Sequence, residues 1–122
     1  MARYILDEAK IHPVAKQQIE DNYRSFLEEV ISTVERDEIV VIGMAQNPYC
    51  KKACKILEKN NIQFTYLEYG SYLKEWRKRN ALKMWTGWKT FPMVFVQGTL
   101  VGGAGEVSDL IKNGEFNQLT TA

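Results

Sequence analysis

The sequence predicts an α/β fold class: a four-stranded mixed sheet flanked by helices, with an added N-terminal helix. Three observations predict it. Ile39 to Ile42 is a β-branched apolar run of the kind buried on both faces of a sheet. After a small-residue loop and a helical pattern comes a second alternating run, Ile62 to Leu67. Strands that straddle a helix form a βαβ unit, parallel and with a right-handed crossover. Finally, Met93 to Gln97 and Leu100-Val101 flank Gly98-Thr99, which reads as a hairpin turn. A parallel pair and a hairpin together make the sheet mixed.

The chain has 122 residues, which predicts one domain. A domain of that size buries roughly two-thirds of its unfolded surface, enough for a real core. The 45% hydrophobic and 25% charged content fits a soluble globular protein. A net charge of +1 offers no bulk attraction to nucleic acid or to a membrane. The opening residues MARYILDEAK carry early charges and no long apolar run, so neither a signal peptide nor a membrane span is expected there. Two cysteines four apart make no disulfide framework and point to a reducing, cytoplasmic setting.

Residues 1–12 carry little signal. Pro13 opens a predicted helix to about Arg36, with Ile19, Tyr23, Phe26, Leu27, Val30, Ile31 and Val34 on one stripe. Residues 1–36 thus read as an extension whose helix packs on a domain of residues 37–122. The stripe also suits a partner or dimer surface, which leaves the oligomeric state open. His12 reads as a solvated loop side chain. A lone histidine without a cysteine or carboxylate pattern makes no metal site, and no metal is expected.

Asn47-Pro48 is a cap residue followed by a proline suited to the first helical position. Ala53, Ile56 and Leu57 then share one helical face. Cys50 falls in the first turn, where the macrodipole favours a thiolate. Asn60-Asn61 ends this helix, and Gly70-Ser71 starts another that runs to about Trp85. Thr86-Gly87 breaks it. Phe91-Pro92 precedes the third strand, in which Val94 and Val96 share a face. Gly102-Gly103-Ala104-Gly105 leads into a last helix, Glu106 to Lys112, closed by Asn113-Gly114. From Glu115 the tail reads as frayed.

The order α-β-α-β-α-β-β-α is the layout of a thioredoxin-type domain. A proline directly before the third strand, opposite a cysteine-bearing helix N-terminus, is that layout's other mark.

Four stretches also resemble the glutaredoxin family. Asn47-Pro48-Tyr49-Cys50, with Lys51-Lys52-Ala53 after it, resembles the motif Cys-Pro-Tyr-Cys. Trp88-Lys89-Thr90-Phe91-Pro92 resembles the Trp-Pro-Thr-aromatic-Pro segment of monothiol glutaredoxins. Val96-Gln97-Gly98 to Val101-Gly102-Gly103 resembles their last hairpin and Gly-Gly corner. Arg79 and Lys83 fall where that group carries basic residues that bind glutathione. The match runs from about Asp37 to the last helix.

The resemblance implies a glutathione site. Phe91, preceding a cis Pro92, would pair its backbone with the glutathione cysteine, beside Tyr49 and Thr90. Ala104 and Gly105 would take the γ-glutamyl carboxylate on backbone amides at a helix N-terminus, with Gly103 just before them also in the site. Arg79 and Lys83, four apart on one helical face, would meet the glycyl carboxylate. A solvated basic face is the plainer reading of those two.

Departures from the family pattern bear on activity. Its nucleophile position is Asn47 here, and a carboxamide forms no mixed disulfide. The thiolate by which monothiol members hold an iron–sulfur cluster is missing with it. Met44-Ala45-Gln46 stand where a lysine is usual, and Lys89 replaces a proline. Gly105 stands where an acidic side chain normally binds the glutathione amino group, with Glu106 one residue on. Cys50 matches the second, resolving cysteine, and Cys54 lies four on along the helix. The plainer reading of both thiols is a pair of small buried hydrophobes.

Two functions follow. One is a glutathione-linked thiol redox protein with Cys50 as nucleophile and weak or absent classical disulfide reductase activity. The other is a non-catalytic module that binds glutathione or a protein on the same scaffold. An iron–sulfur carrier would require Cys50 as a displaced ligand and fits the sequence least.

Overall fold

In the computed structural model, residues 2–120 are described. The elements are α1 (Pro13–Asp21), α2 (Arg24–Arg36), β1 (Ile39–Gly43), α3 (Pro48–Lys59), β2 (Thr65–Glu68), α4 (Trp76–Thr86), β3 (Met93–Val96), β4 (Thr99–Gly102), α5 (Ala104–Lys112) and α6 (Glu115–Thr120). The sheet order is β2-β1-β3-β4; β1 and β2 run parallel and the other pairs antiparallel. This is the four-stranded mixed sheet flanked by helices that the sequence predicts.

The period of two along the strands sorts the core onto the two faces of the sheet. Val40, Ile42, Met93 and Phe95 pack with Val30 and Val34 of α2 and Leu82 of α4. Ile39, Val41, Val94 and Val96 pack on the other face with Leu57 of α3, Val107 of α5 and Phe116 of α6. Trp85 stacks on Phe95 at 5.6 Å between ring centroids.

Six local expectations are corrected. The N-terminal helix is two helices, because Asn22 is extended and Tyr23 adopts a left-handed conformation at φ 52°. The apolar stripe resumes in register after this corner, so periodicity does not reveal the break. His12 is exposed but not idle: its Nδ1 accepts from the Val14 N–H at 3.1 Å and caps α1. The second strand starts at Thr65, since the register pairs Val40 with Thr65 and leaves residues 62–64 no partner. Residues 71–75 form a loop between Gly70 and Glu75, both at positive φ, and Leu73 there is 91% exposed. The tail is helical through Thr120, anchored by Phe116 at 2% exposure. Residues 121–122 of that tail lie outside the described residues. The hairpin turn is shifted by one: Gln97 and Gly98, at φ 52° and 76°, are its central residues.

Candidate functional site

A groove of about 330 Å³ opens between the N-terminus of α3, the α4–β3 connection and the corner from β4 into α5. Tyr49, Thr90, Phe91, Pro92, Gly103, Ala104, Gly105 and Glu106 line it. Its size falls at the lower end of the range for small-molecule sites. Seven of these eight are residues the resemblance singles out.

One wall is built by turns and backbone. Thr86 Oγ1 donates to Leu82 O at 2.8 Å and accepts from the Trp88 N–H at 3.1 Å, which fixes the exit from α4. The chain then reaches the Phe91–Pro92 bond, which is cis. Gly102 sits at φ 119°, and a Cβ there would lie 2.7 Å from the Glu106 side chain. Glycine at this corner lets Glu106 fold back, where its Oε1 accepts from the Gly103 N–H at 2.8 Å. Sequence reading treats Glu106 only as a displaced acid. The structure makes it both the N-terminal cap of α5 and part of the groove. The readable signal was a glutamate three residues after the helix entry, the capping-box spacing.

The basic pair divides. Arg79 does not line the groove. It is 7% exposed, and its Nη1 donates to Tyr69 O at 3.1 Å and Lys74 O at 2.5 Å, tying the loop before α4 to that helix. Lys83 does not line the groove either, but its Nζ sits 5.7 Å from the centroid of the Phe91 ring, which does. Four-residue spacing put both on one face, but the Tyr69 and Lys74 carbonyls claim the first.

The other wall is the first turn of α3. Asn47 is 8% exposed, and its Oδ1 accepts from the N–H groups of Tyr49 at 2.9 Å and Cys50 at 3.1 Å. The carboxamide thus takes the first-turn donors that would otherwise stabilise an anion. In the loop Met44-Ala45-Gln46, Met44 is buried in the core, and the loop is pinned by Ala45 N–H to Gly70 O at 2.7 Å.

Cys50 does not line the groove. It is 1% exposed and part of the core face under α2 and α4. Gly43 makes room for it: a Cβ there would lie 2.9 Å from Cys50 Sγ and 2.8 Å from the Tyr66 hydroxyl. Burial pushes the Cys50 thiol up, a backbone hydrogen bond from Met44 opposes this, and the charge of Glu68 adds to the rise. The expected depression by the helix dipole is therefore corrected: desolvation outweighs it. Cys54, half-buried in the second core, is pushed up to about 11, first by burial and then by Cys50, Glu58 and Glu68. Both thiols are free, and no group of three or more His, Cys, Asp or Glu among the described residues is placed to hold a metal.

A four-stranded mixed sheet with a cis-proline facing a helix N-terminus defines the thioredoxin-like class. Structures agree: a buckwheat glutaredoxin in complex with glutathione superposes with a TM-score of 0.74 at 24% identity, over 84% of this chain and 93% of that one. The glutaredoxin family model matches residues 39–101. A glutaredoxin-like protein of Dictyostelium discoideum is 44% identical over 101 residues, 81% of this chain and 82% of the relative. Glutaredoxin 1 of Rickettsia conorii is 33% identical over 81 residues, 66% of this chain and 78% of that protein. The chain belongs to the glutaredoxin family, a family of glutathione and thiol redox function.

Proposed function

We propose that this chain binds glutathione in the groove between Tyr49 and Gly105 and does not reduce disulfides through a thiol of its own. Its reductase activity is weak or absent, and its role is that of a glutathione- or protein-binding module on a glutaredoxin scaffold. The observation that carries this reading is the first turn of α3. Asn47 occupies the nucleophile position of the resemblance and caps the helix, while Cys50 is 1% exposed with its thiol pushed up. A protonated, enclosed thiol is a poor attacker.

The groove suits the tripeptide. Ala104 and Gly105 open α5, a nine-residue helix whose first N–H groups favour a carboxylate. Glu106 supplies a negative charge for an ammonium group, and Lys83 supplies a cation beside Phe91 for a second carboxylate. Backbone of the Phe91–Pro92 turn is left to pair with the central residue. The buckwheat relative carries glutathione in its crystal structure, which supports the same ligand here.

The test pairs a binding measurement with a turnover measurement. Calorimetric titration with reduced glutathione should give saturable binding. Glutathione-dependent reduction of a small mixed disulfide should stay at the level without protein, in wild type and in Cys50→Ser alike. Turnover that disappears in Cys50→Ser would restore that thiol as the nucleophile; absence of binding would remove the groove from the reading.

A further inference from the structure

The outer face of α3 carries a surface that the glutathione groove does not use. Pro48, Lys51, Lys52, Lys55, Ile56 and Lys59 fall at i, i+3, i+4, i+7, i+8 and i+11, a single stripe whose lysines lie opposite the core positions Cys50, Ala53 and Leu57, with half-buried Ile56 at its edge against the second core cluster. These six line a groove of about 490 Å³, larger than the glutathione groove. All four lysines are exposed, and none joins an ion pair among the described residues, whose pairs use Lys16, Arg24, Arg36 and Lys78. Glu58 is the one acid in the helix, and it pairs with none of them. Lys51–Lys55 and Lys55–Lys59 are like charges at i, i+4, an arrangement that weakens a helix by itself. A chain of net charge +1 therefore concentrates four unneutralised cations on one stripe.

We infer that this groove docks an acidic peptide segment of a partner protein. Carboxylates would meet the lysine ammonium groups at the rim. An apolar side chain would rest on the floor made by Pro48, Ile56 and the lysine stems. The stripe spans eleven residue steps, about 16 Å at 1.5 Å each, which an extended segment of about five residues covers. The site chemistry favours peptide over the other polyanions. It contains no arginine to grip phosphate bidentately and no aromatic ring on the stripe to stack a base. A bilayer-binding stripe presents several large apolar side chains, whereas Pro48 and Ile56 are the only apolar residues among these six. Pro48 adjoins Tyr49, which lines the glutathione groove, so a docked segment lies beside that groove's mouth. The inference stands on the stripe alone and does not require that glutathione bind.

Fluorescence anisotropy with a labelled Glu-Glu-Leu-Glu-Glu peptide and the full chain tests it. Saturable binding is expected, weakened by rising salt and by at least about tenfold in the combined Lys51→Glu, Lys55→Glu, Lys59→Glu variant. The combined Lys10→Glu, Lys112→Glu variant, changed at exposed lysines outside the groove, should bind as wild type does. In wild type, the peptide should shift the amide resonances of residues 51–59 first, a readout that does not depend on the charge-reversed variant folding. No saturable binding, equal weakening in the Lys10/Lys112 variant, or resonance shifts centred elsewhere would overturn the inference. So would tighter binding of a uridine oligonucleotide or of phosphatidylserine vesicles than of the peptide.

Discussion

The two walls of the candidate groove are made of different material. The β3–α5 wall is mostly backbone: the Phe91–Pro92 turn, the Gly102-Gly103 corner and the first amides of α5. The α3 wall depends on side chains, and there Asn47 takes the helix-end donors while Cys50 turns into the core. Recognition written in backbone survives changes of side chain, because every residue supplies the same N–H and C=O. Chemistry that rests on one sulfur does not. Asn47 suits this wall structurally: a carboxamide is among the best helix caps, so the first turn has satisfied donors.

The largest expected effect comes from making the α3 wall reactive. Asn47→Cys should raise glutathione-dependent mixed-disulfide reduction by about two orders of magnitude, since it places a nucleophile beside a positioned substrate. It should also cost about 1 kcal/mol of stability through the lost cap. Turnover and urea midpoints measure the two together. If glutathione binds and turnover does not rise, the α3 wall differs in geometry and not only in one side chain.

Arg79 and Lys83 sharpen the contrast next. Arg79→Ala should destabilise the fold by about 2 kcal/mol, because the Tyr69 and Lys74 carbonyls lose their donor in a half-buried setting. Glutathione affinity of the folded variant should be unchanged. Lys83→Ala should do the reverse, weakening binding several-fold at unchanged stability. Equal losses of affinity in both variants would return Arg79 to the groove.

The fold was legible in the sequence because its strands are short, strongly β-branched and separated by clear stops. Most of the candidate groove was legible for a related reason: Phe91-Pro92 and Gly102 to Gly105 are backbone signals, and backbone geometry follows from proline and glycine. What stayed hidden was tertiary. The corner at Tyr23 preserves the apolar stripe and so leaves no gap in the periodicity. Arg79 and Lys83 share a helical face, and only the loop folded against α4 separates their roles. Helix position alone argued for a thiolate at Cys50, whereas burial against Gly43 and Tyr66 argues the opposite.

Gly105→Asp tests whether the backbone wall lacks only a counter-charge. A Cβ at Gly105 meets nothing within 4 Å, so the side chain fits without displacement. An acid at this point of the first turn also suits the helix dipole. One charge-assisted hydrogen bond to the glutathione ammonium should tighten binding by about tenfold. Unchanged affinity would mean that Glu106 already serves that ammonium.

The smallest effect concerns the buried thiols and has a definite sign. Both are pushed up from an ordinary value of 9.0, Cys54 to about 11. The folded chain then holds protons that the unfolded chain releases, so unfolding becomes more favourable as pH rises through this window. Stability from this source is fully present below pH 9 and is lost progressively as pH climbs towards 11. Urea midpoints between pH 7 and about 10.5 should fall more steeply in wild type than in the Cys50→Ser, Cys54→Ser double variant, which has no thiol to ionise. Iodoacetamide near pH 6 should label neither cysteine of the folded chain quickly. Fast labelling of Cys50 under those conditions would erase the contrast between the two walls, because the α3 wall would then hold a usable thiolate after all.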